Sequence, residues 1–141
     1  MELIIGGCYQ GKLAYVEQKL RQRNVILDKC AVLDGAEIDA FAAPSQWRRQ
    51  ISGRMVLNHL HLFVKNCVCH GHDDRISMAL ALFLEEAPEL LVVCDEVGCG
   101  VVPSAPQERA YREAVGRALC FLAQRADSME RVIGGIPMRI K

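Results

Sequence analysis

The chain has 141 residues, half of them apolar and a quarter charged, the balance of a globular domain able to bury its own core. With 17 Lys and Arg against 17 Asp and Glu there is no formal net charge, which excludes the basic excess of nucleic-acid and polybasic membrane binders. No apolar run reaches the roughly 20 residues of a membrane span, "MELIIGG" turns to glycine too early for a secretory leader, and an odd count of seven cysteines fits reduced thiols in a cytoplasm.

Residues Glu2 to Ile5 read as a short buried strand, and Leu13 to Arg23 as a helix with Leu13, Val16 and Leu20 on its inner side. "CAVLDG" is a strand that ends in the turn pair Asp34-Gly35. Ser45, after Pro44, is a helix cap in type, and Trp47 to Val68 has Val56, Leu60, Phe63, Val64 and Cys67 at helical spacing, with Gly53 as a break. "HGHDD" is a polar turn, from which Asp73 or Asp74 caps a helix carrying Ile76, Leu80, Phe83 and Leu84 up to Pro88.

"ELLVVCDE" is apolar on both faces, as a central parallel strand should be. Beyond it lies the glycine-punctuated "VGCGVVP". Ser104-x-x-Gln107, with Pro106 in the first turn, has the form of a capping box. It opens a long helix with Tyr111, Val115, Ala118, Leu119 and Leu122 inward, and "ERVIGGIPMRIK" closes the chain as strand, tight turn, strand. Strands alternating with helices predict one α/β domain over 1–141, a mainly parallel sheet flanked by helices with a C-terminal strand pair.

The first loop carries the chemistry. Gly6, Gly11 and Lys12 complete Gly-x4-Gly-Lys between a strand and a helix, the setting in which backbone N–H groups and a helix N-terminus cradle phosphate while the lysine reaches the outer phosphates. The next position calls for Ser or Thr to place a hydroxyl on Mg²⁺, and Leu13 has no oxygen, so metal positioning suffers more than phosphate binding. Taken alone, the pattern is equally that of a glycine-rich turn that binds nothing. Asp34, at the carboxyl end of its strand, is either a turn residue or part of the ligand crevice near Asp95.

The middle offers histidines and cysteines. In a continuous helix His59 and His61 diverge by about 200°; His61 shares the face of Leu57 and Val64, which reads as packing, and His59 lies beside Asn58 on the polar side as the weak candidate nucleophile. Cys67, Cys69, His70 and His72 are zinc-ligand types, but so close together that a tetrahedron needs a sharply curled loop, and Cys67 falls on the apolar face. Packing is the simpler reading there, as it is for Cys94 in its strand and Cys99 in its turn.

The C-terminal third, with "DEVG" at a strand end, "GVVP", "REAVGR" in the long helix and the closing "GIPMRIK", together with "GGCYQGK" near the start, resembles the bifunctional adenosylcobinamide kinase / adenosylcobinamide-phosphate guanylyltransferase family. These motifs cover roughly half of the chain and leave about residues 24–75 unmatched. The resemblance implies a P-loop NTPase-like fold in a cytoplasmic, homotrimeric enzyme of adenosylcobalamin biosynthesis, one that phosphorylates adenosylcobinamide with ATP or GTP and then transfers GMP through a histidine. By the same resemblance Gly6, Gly7, Cys8, Tyr9, Gln10, Gly11, Lys12 and Leu13 form the nucleotide loop. The resemblance makes Lys12, Asp95 and Glu96 the candidate catalytic residues, with Glu96 as base, and Asp95 the candidate Mg²⁺ ligand, beside which Asp34 is a second candidate from its place at a strand end. The family's His-x-x-x-Arg segment has no counterpart here, so the kinase half is implied more directly than guanylyl transfer. The other reading is a catalytically silent nucleotide- or corrinoid-binding regulator or scaffold of the same fold.

Overall fold

The structure, a computed structural model, describes residues 1–25, 30–39, 42, 46 and 54–141. Its elements run β1 (Glu2–Gly6), α1 (Lys12–Gln22), β2 (Ala31–Asp34), β3 (Arg54–Asn58), α2 (Leu60–Cys69), α3 (Arg75–Glu86), β4 (Glu89–Asp95), α4 (Pro106–Arg125), β5 (Ser128–Ile133) and β6 (Ile136–Arg139). The six strands form one sheet in the order β2-β3-β4-β1-β5-β6. All neighbours are parallel except β5 and β6, which pair antiparallel across Gly134-Gly135. This is the α/β architecture read from the alternation of elements.

Period-2 alternation splits the core into two layers. Leu3 and Ile5 of β1, Met55 and Leu57 of β3, and Leu90, Val92 and Cys94 of β4 face the layer built with α2, α3 and α4. Ile4, Val56, Leu91 and Val93, with Val132 of β5, face the other way onto Val16 and Leu20 of α1. Strands buried on both faces need an unbroken apolar run, which "LLVVC" supplies. Gly134 and Gly135 both take left-handed φ (57° and 80°), the backbone that a two-residue hairpin turn requires. Across that hairpin Pro137 sits opposite Val132, in the pair next to Ile133 and Ile136. Its nitrogen therefore points to the open edge of the sheet, where a missing donor discourages strand addition.

Several local expectations need correction. Arg54–Asn58, expected inside a helix, is strand β3, and one residue, His59, separates it from α2. Helical spacing across "VLNHLHLF" arises because an alternating strand runs straight into a helix whose buried face starts at Leu60. The expected cap Ser45, and residues 47–53 of that expected helix, lie outside the described residues. Leu13 is partly exposed at the loop mouth instead of packed with Val16 and Leu20, while the lysine before it is buried. Ala105, not Ser104, is the N-cap of α4, with no side-chain capping bond; Asp74 precedes α3 likewise without one. Among the described residues no helix is long and apolar enough to cross a membrane.

At the amino ends of the strands, Glu2 receives Lys19 at 2.8 Å and both guanidinium nitrogens of Arg23. Burial opposes its ionisation, but those two cations outweigh it and pull the pKa from 4.5 down to about 2. Its unfolded form therefore takes up a proton first as pH falls. The stability Glu2 contributes is complete above pH 4.5 and is lost between there and about pH 2. Replacing Glu2 by Gln should cost about 1–3 kcal/mol at pH 7 and flatten the acid limb of a denaturation-versus-pH curve over that window. An acid limb identical to wild type would remove Glu2 from the balance. Gly6→Ala tests the loop's packing: its Cβ would lie 2.4 Å from the Val132 carbonyl oxygen, a backbone atom that cannot swing away. Calorimetry should find the variant destabilised by about 2 kcal/mol or more, or unfolded.

Candidate functional site

The site lies at the carboxyl ends of the parallel strands, where β1 leaves the sheet beside β4. A cavity of about 470 Å³ is lined by the loop from Cys8 to Ala14, by Asn58, His59, His61 and Leu62 from the β3–α2 junction, and by Val93 and Asp95 of β4. Pairing of Gly6 with Asp95 across β1 and β4 is what brings the loop and the acidic strand end together.

Lys12 opens α1 from Gly11, whose φ of 81° turns the chain into the helix. No side chain caps that helix, so its first amides keep their donors for an anion. The lysine is only 6% exposed. Its ammonium is held by the Gly7 carbonyl and by Asp95 Oδ1, both at 2.6 Å. Burial works against the Asp95 charge, but the Lys12 hydrogen bond, with further help from positive charge and the Cys8 thiol, holds its carboxyl below the ordinary range.

Other bonds fix the loop backbone. Glu96 N–H donates to the Gly6 carbonyl at 3.0 Å, and Gly135 N–H donates to the Gln10 carbonyl at 3.0 Å. Tyr9 has a left-handed φ of 56° and is 99% exposed at the loop tip. Leu13 lies at the cavity wall and brings no oxygen to it. The Glu96 carboxylate accepts from Arg131 Nε at 2.9 Å, toward β5.

The histidines occupy unlike places. His61, in the first turn of α2, is 8% exposed, and its Nδ1 accepts from the Asp95 N–H at 3.3 Å. That bond leaves the neutral ring's proton on Nε2, which stands 3.7 Å from Asp95 Oδ2. Burial lowers the pKa of His61, and the charges of His59 and Lys12 outweigh enough of Asp95's pull to keep it low. His59 is the single residue between β3 and α2, with left-handed φ of 51°. Its Nδ1 lies 2.9 Å from Asp34 Oδ2 and 3.3 Å from Asn58 Nδ2; a carboxylate only accepts, so with the closer partner a neutral ring donates from Nδ1 and keeps its lone pair at Nε2. Asp34 also accepts the Ala36 N–H at 2.9 Å, and its pKa is lowered because these donors outweigh burial.

Asp34 and Asp95 are not neighbours in the sheet. Their strands are separated by β3 and so lie roughly 10 Å apart by strand spacing, with Asp95 two residues beyond the level of Asp34. The rings of His59 and His61, 5.8 Å between centroids, occupy the gap. Among the described residues no three or more His, Cys, Asp and Glu side chains converge as a metal cluster. Cys67 and Cys94 are core thiols whose pKa burial pushes up to about 11 and about 12. Cys69 is exposed, as is Cys99. Sequence reasoning missed the contact of His61 with Asp95, and those of Arg131 and Gln10 with the site's frame. The one available signal was that a residue sharing a face with the start of a buried helix must meet whatever strand lies beneath it.

Residues 36–140 match the family model described as cobinamide kinase / cobinamide phosphate guanyltransferase. The bifunctional adenosylcobalamin biosynthesis protein CobU of Salmonella typhimurium is 35% identical over 69 residues, 49% of this chain and 38% of that relative. The chain thus spans well under half the length of the curated relative it matches. The family match enters the middle that motif comparison left unaligned, taking in 36–75, and leaves β1, the loop and α1 outside it. From β3 to the end of β6 it takes in four of the six strands and the helices α2, α3 and α4, and on that breadth of agreement the chain belongs to the cobinamide kinase / cobinamide phosphate guanyltransferase family.

Proposed function

We propose that the chain acts in adenosylcobalamin biosynthesis by binding ATP or GTP at the Gly6–Leu13 loop and transferring its γ-phosphoryl group to the hydroxyl of adenosylcobinamide. The observation that carries this reading is the buried contact of Lys12 with Asp95 inside the cavity, in a member of that family. A cation so placed exchanges one set of anionic oxygens for another when phosphate enters. The hydroxyl oxygen then bonds to the γ-phosphorus, the bond to the β-bridging oxygen breaks, and the nucleoside diphosphate leaves. Lys12 and the loop amides stabilise charge on the transferred group.

Asp95, kept ionised and freed by the move of Lys12, suits a Mg²⁺ ligand; the absent hydroxyl at Leu13 leaves a coordination position to water. Mg²⁺ supplies charge neutralisation across the phosphates when bound. Asp34 has both oxygens engaged, by Ala36 and His59, which leaves it the lesser metal candidate. Glu96, one residue beyond Asp95, is the candidate acceptor of the hydroxyl's proton, and a loose phosphoryl-transfer transition state asks little of that base.

A second step rests on the Asp34–His59 pair. A carboxylate at Nδ1, an outward Nε2 and a position on a tight strand-to-helix elbow are what a nucleophilic imidazole needs. His59 is therefore the candidate to attack the α-phosphorus of GTP, releasing pyrophosphate and holding GMP through Nε2. The same family resemblance supports a cytoplasmic homo-oligomer. The exposed Ile133, Ile136, Met138 and Ile140 on one face of the C-terminal hairpin give such an assembly an apolar surface.

Incubation with adenosylcobinamide, Mg²⁺ and labelled ATP or GTP should yield the phosphate ester by mass. Lys12→Ala should lower its rate by about 100-fold or more. Binding of nucleotide without any ester would select the silent binder instead. With GTP labelled in the α-phosphate, wild type should retain acid-labile GMP on the protein and His59→Asn should not. Equal labelling of both proteins removes His59, and no labelling of wild type removes the second step altogether.

A further inference from the structure

We infer that Gln10 is a positioning residue which, through the glycine turn of the C-terminal hairpin, aims the Gly11 amide at the phosphate site; the inference rests on the loop's being that site. Gln10 makes two bonds to this turn and uses both of its oxygens. Its side-chain Oε1 accepts from Gly134 N–H at 2.7 Å, and its main-chain carbonyl accepts from Gly135 N–H at 3.0 Å. Successive residues in left-handed backbone, here with φ of 57° and 80°, turn their N–H groups to the same side and make a small concavity for electronegative atoms. Gln10 fills it.

The consequence follows from peptide geometry. In a trans peptide the C=O and the following N–H point in opposite directions. With the Gln10 carbonyl tied to Gly135, the Gly11 N–H must point away from the hairpin, toward the cavity side of the loop. The same logic operates at the loop's other end: the Gly6 carbonyl is tied to Glu96 N–H and the Gly7 carbonyl to Lys12, which turns the Gly7 and Cys8 amides outward from those partners. Three fixed carbonyls thus preset three donors. Of the three ties, the one at Gln10 is duplicated by a side chain, and it alone reaches the C-terminal hairpin.

Close approach makes the arrangement intolerant of error. A Cβ on Gly11 would come 3.4 Å from Gly135 Cα, so the loop and the turn are in contact without side chains between them. A phosphate ligand therefore meets amides already oriented, and loses less freedom of the loop on binding.

Gln10→Met keeps the length of the side chain and removes only the acceptor for Gly134. Isothermal titration of the full chain with ATP and with GTP should show binding weakened roughly 3- to 10-fold, the range for one hydrogen bond. Amide hydrogen exchange should accelerate at Gly134. The melting temperature of the nucleotide-free protein should stay within about 2 °C of wild type, because the lost bond is exposed. Unchanged affinity in Gln10→Met would overturn the inference, as would weakened binding accompanied by a fall of many degrees in melting temperature, which would make Gln10 a general stabiliser. Wild-type protein that binds neither nucleotide would instead sink the reading of the loop on which the inference stands.

Discussion

A lysine ammonium shut away from water must be surrounded by oxygen, and Lys12 satisfies that requirement with the Gly7 carbonyl and Asp95. Removing one partner of such a buried pair typically costs about 3–5 kcal/mol, because the other charge is left without compensation. The loop is therefore held closed around its own lysine by the end of β4. This is possible only because β1 and β4 are adjacent and parallel, with Gly6 level with Asp95. The same adjacency lets Glu96 N–H close on the Gly6 carbonyl. Strand order, more than any single side chain, creates the site.

Electrostatics at the neighbouring wall follows from which ring nitrogen is engaged. His61 accepts a backbone proton at Nδ1, so a second proton there would set two N–H groups against each other. Burial and that bond both favour the neutral ring, and its Nε2–H faces the Asp95 carboxylate. His59 has the opposite arrangement, Nδ1 toward Asp34 and Nε2 outward. Two histidines one residue apart thus present one donor and one lone pair to a shared cavity. A continuous helix could not do this; the left-handed His59 between strand and helix sets the two rings edge to face.

Much of the frame was legible in the sequence. "ELLVVCD" could only be a strand covered on both faces, Gly134-Gly135 could only be a tight hairpin, and Gly-x4-Gly-Lys after an apolar strand fixed where α1 begins. The strand β3 was not legible, because Val56 and Leu57 fall in phase with the apolar face of the following helix. Leu13 was misjudged because Lys12, spaced by four from Val16, takes the buried place in the first turn of α1 and leaves Leu13 at the cavity wall. The separation of Asp34 from Asp95 depends on β3 inserting between their strands, a fact of topology that no local pattern encodes. His61 read as a packing residue, and it is buried; that burial beside a strand's carboxyl end also engages its nitrogens could not be told from spacing.

The family match begins at residue 36, after the loop, yet the loop's conformation is imposed mostly from within the matched region. Asp95 takes its lysine, Glu96 takes its first carbonyl, the Val132 carbonyl forbids any side chain at Gly6, and Gly134 with Gly135 takes Gln10. Together these contacts fix the loop's backbone and leave side-chain identity free at Leu13, which none of the four engages. A loop specified by the surfaces against which it rests can therefore change its sequence while its amides keep their aim. Leu13 is a position of that kind: under the proposed nucleotide-binding role, its lack of a hydroxyl bears on what the loop offers a metal and not on what its amides offer a phosphate.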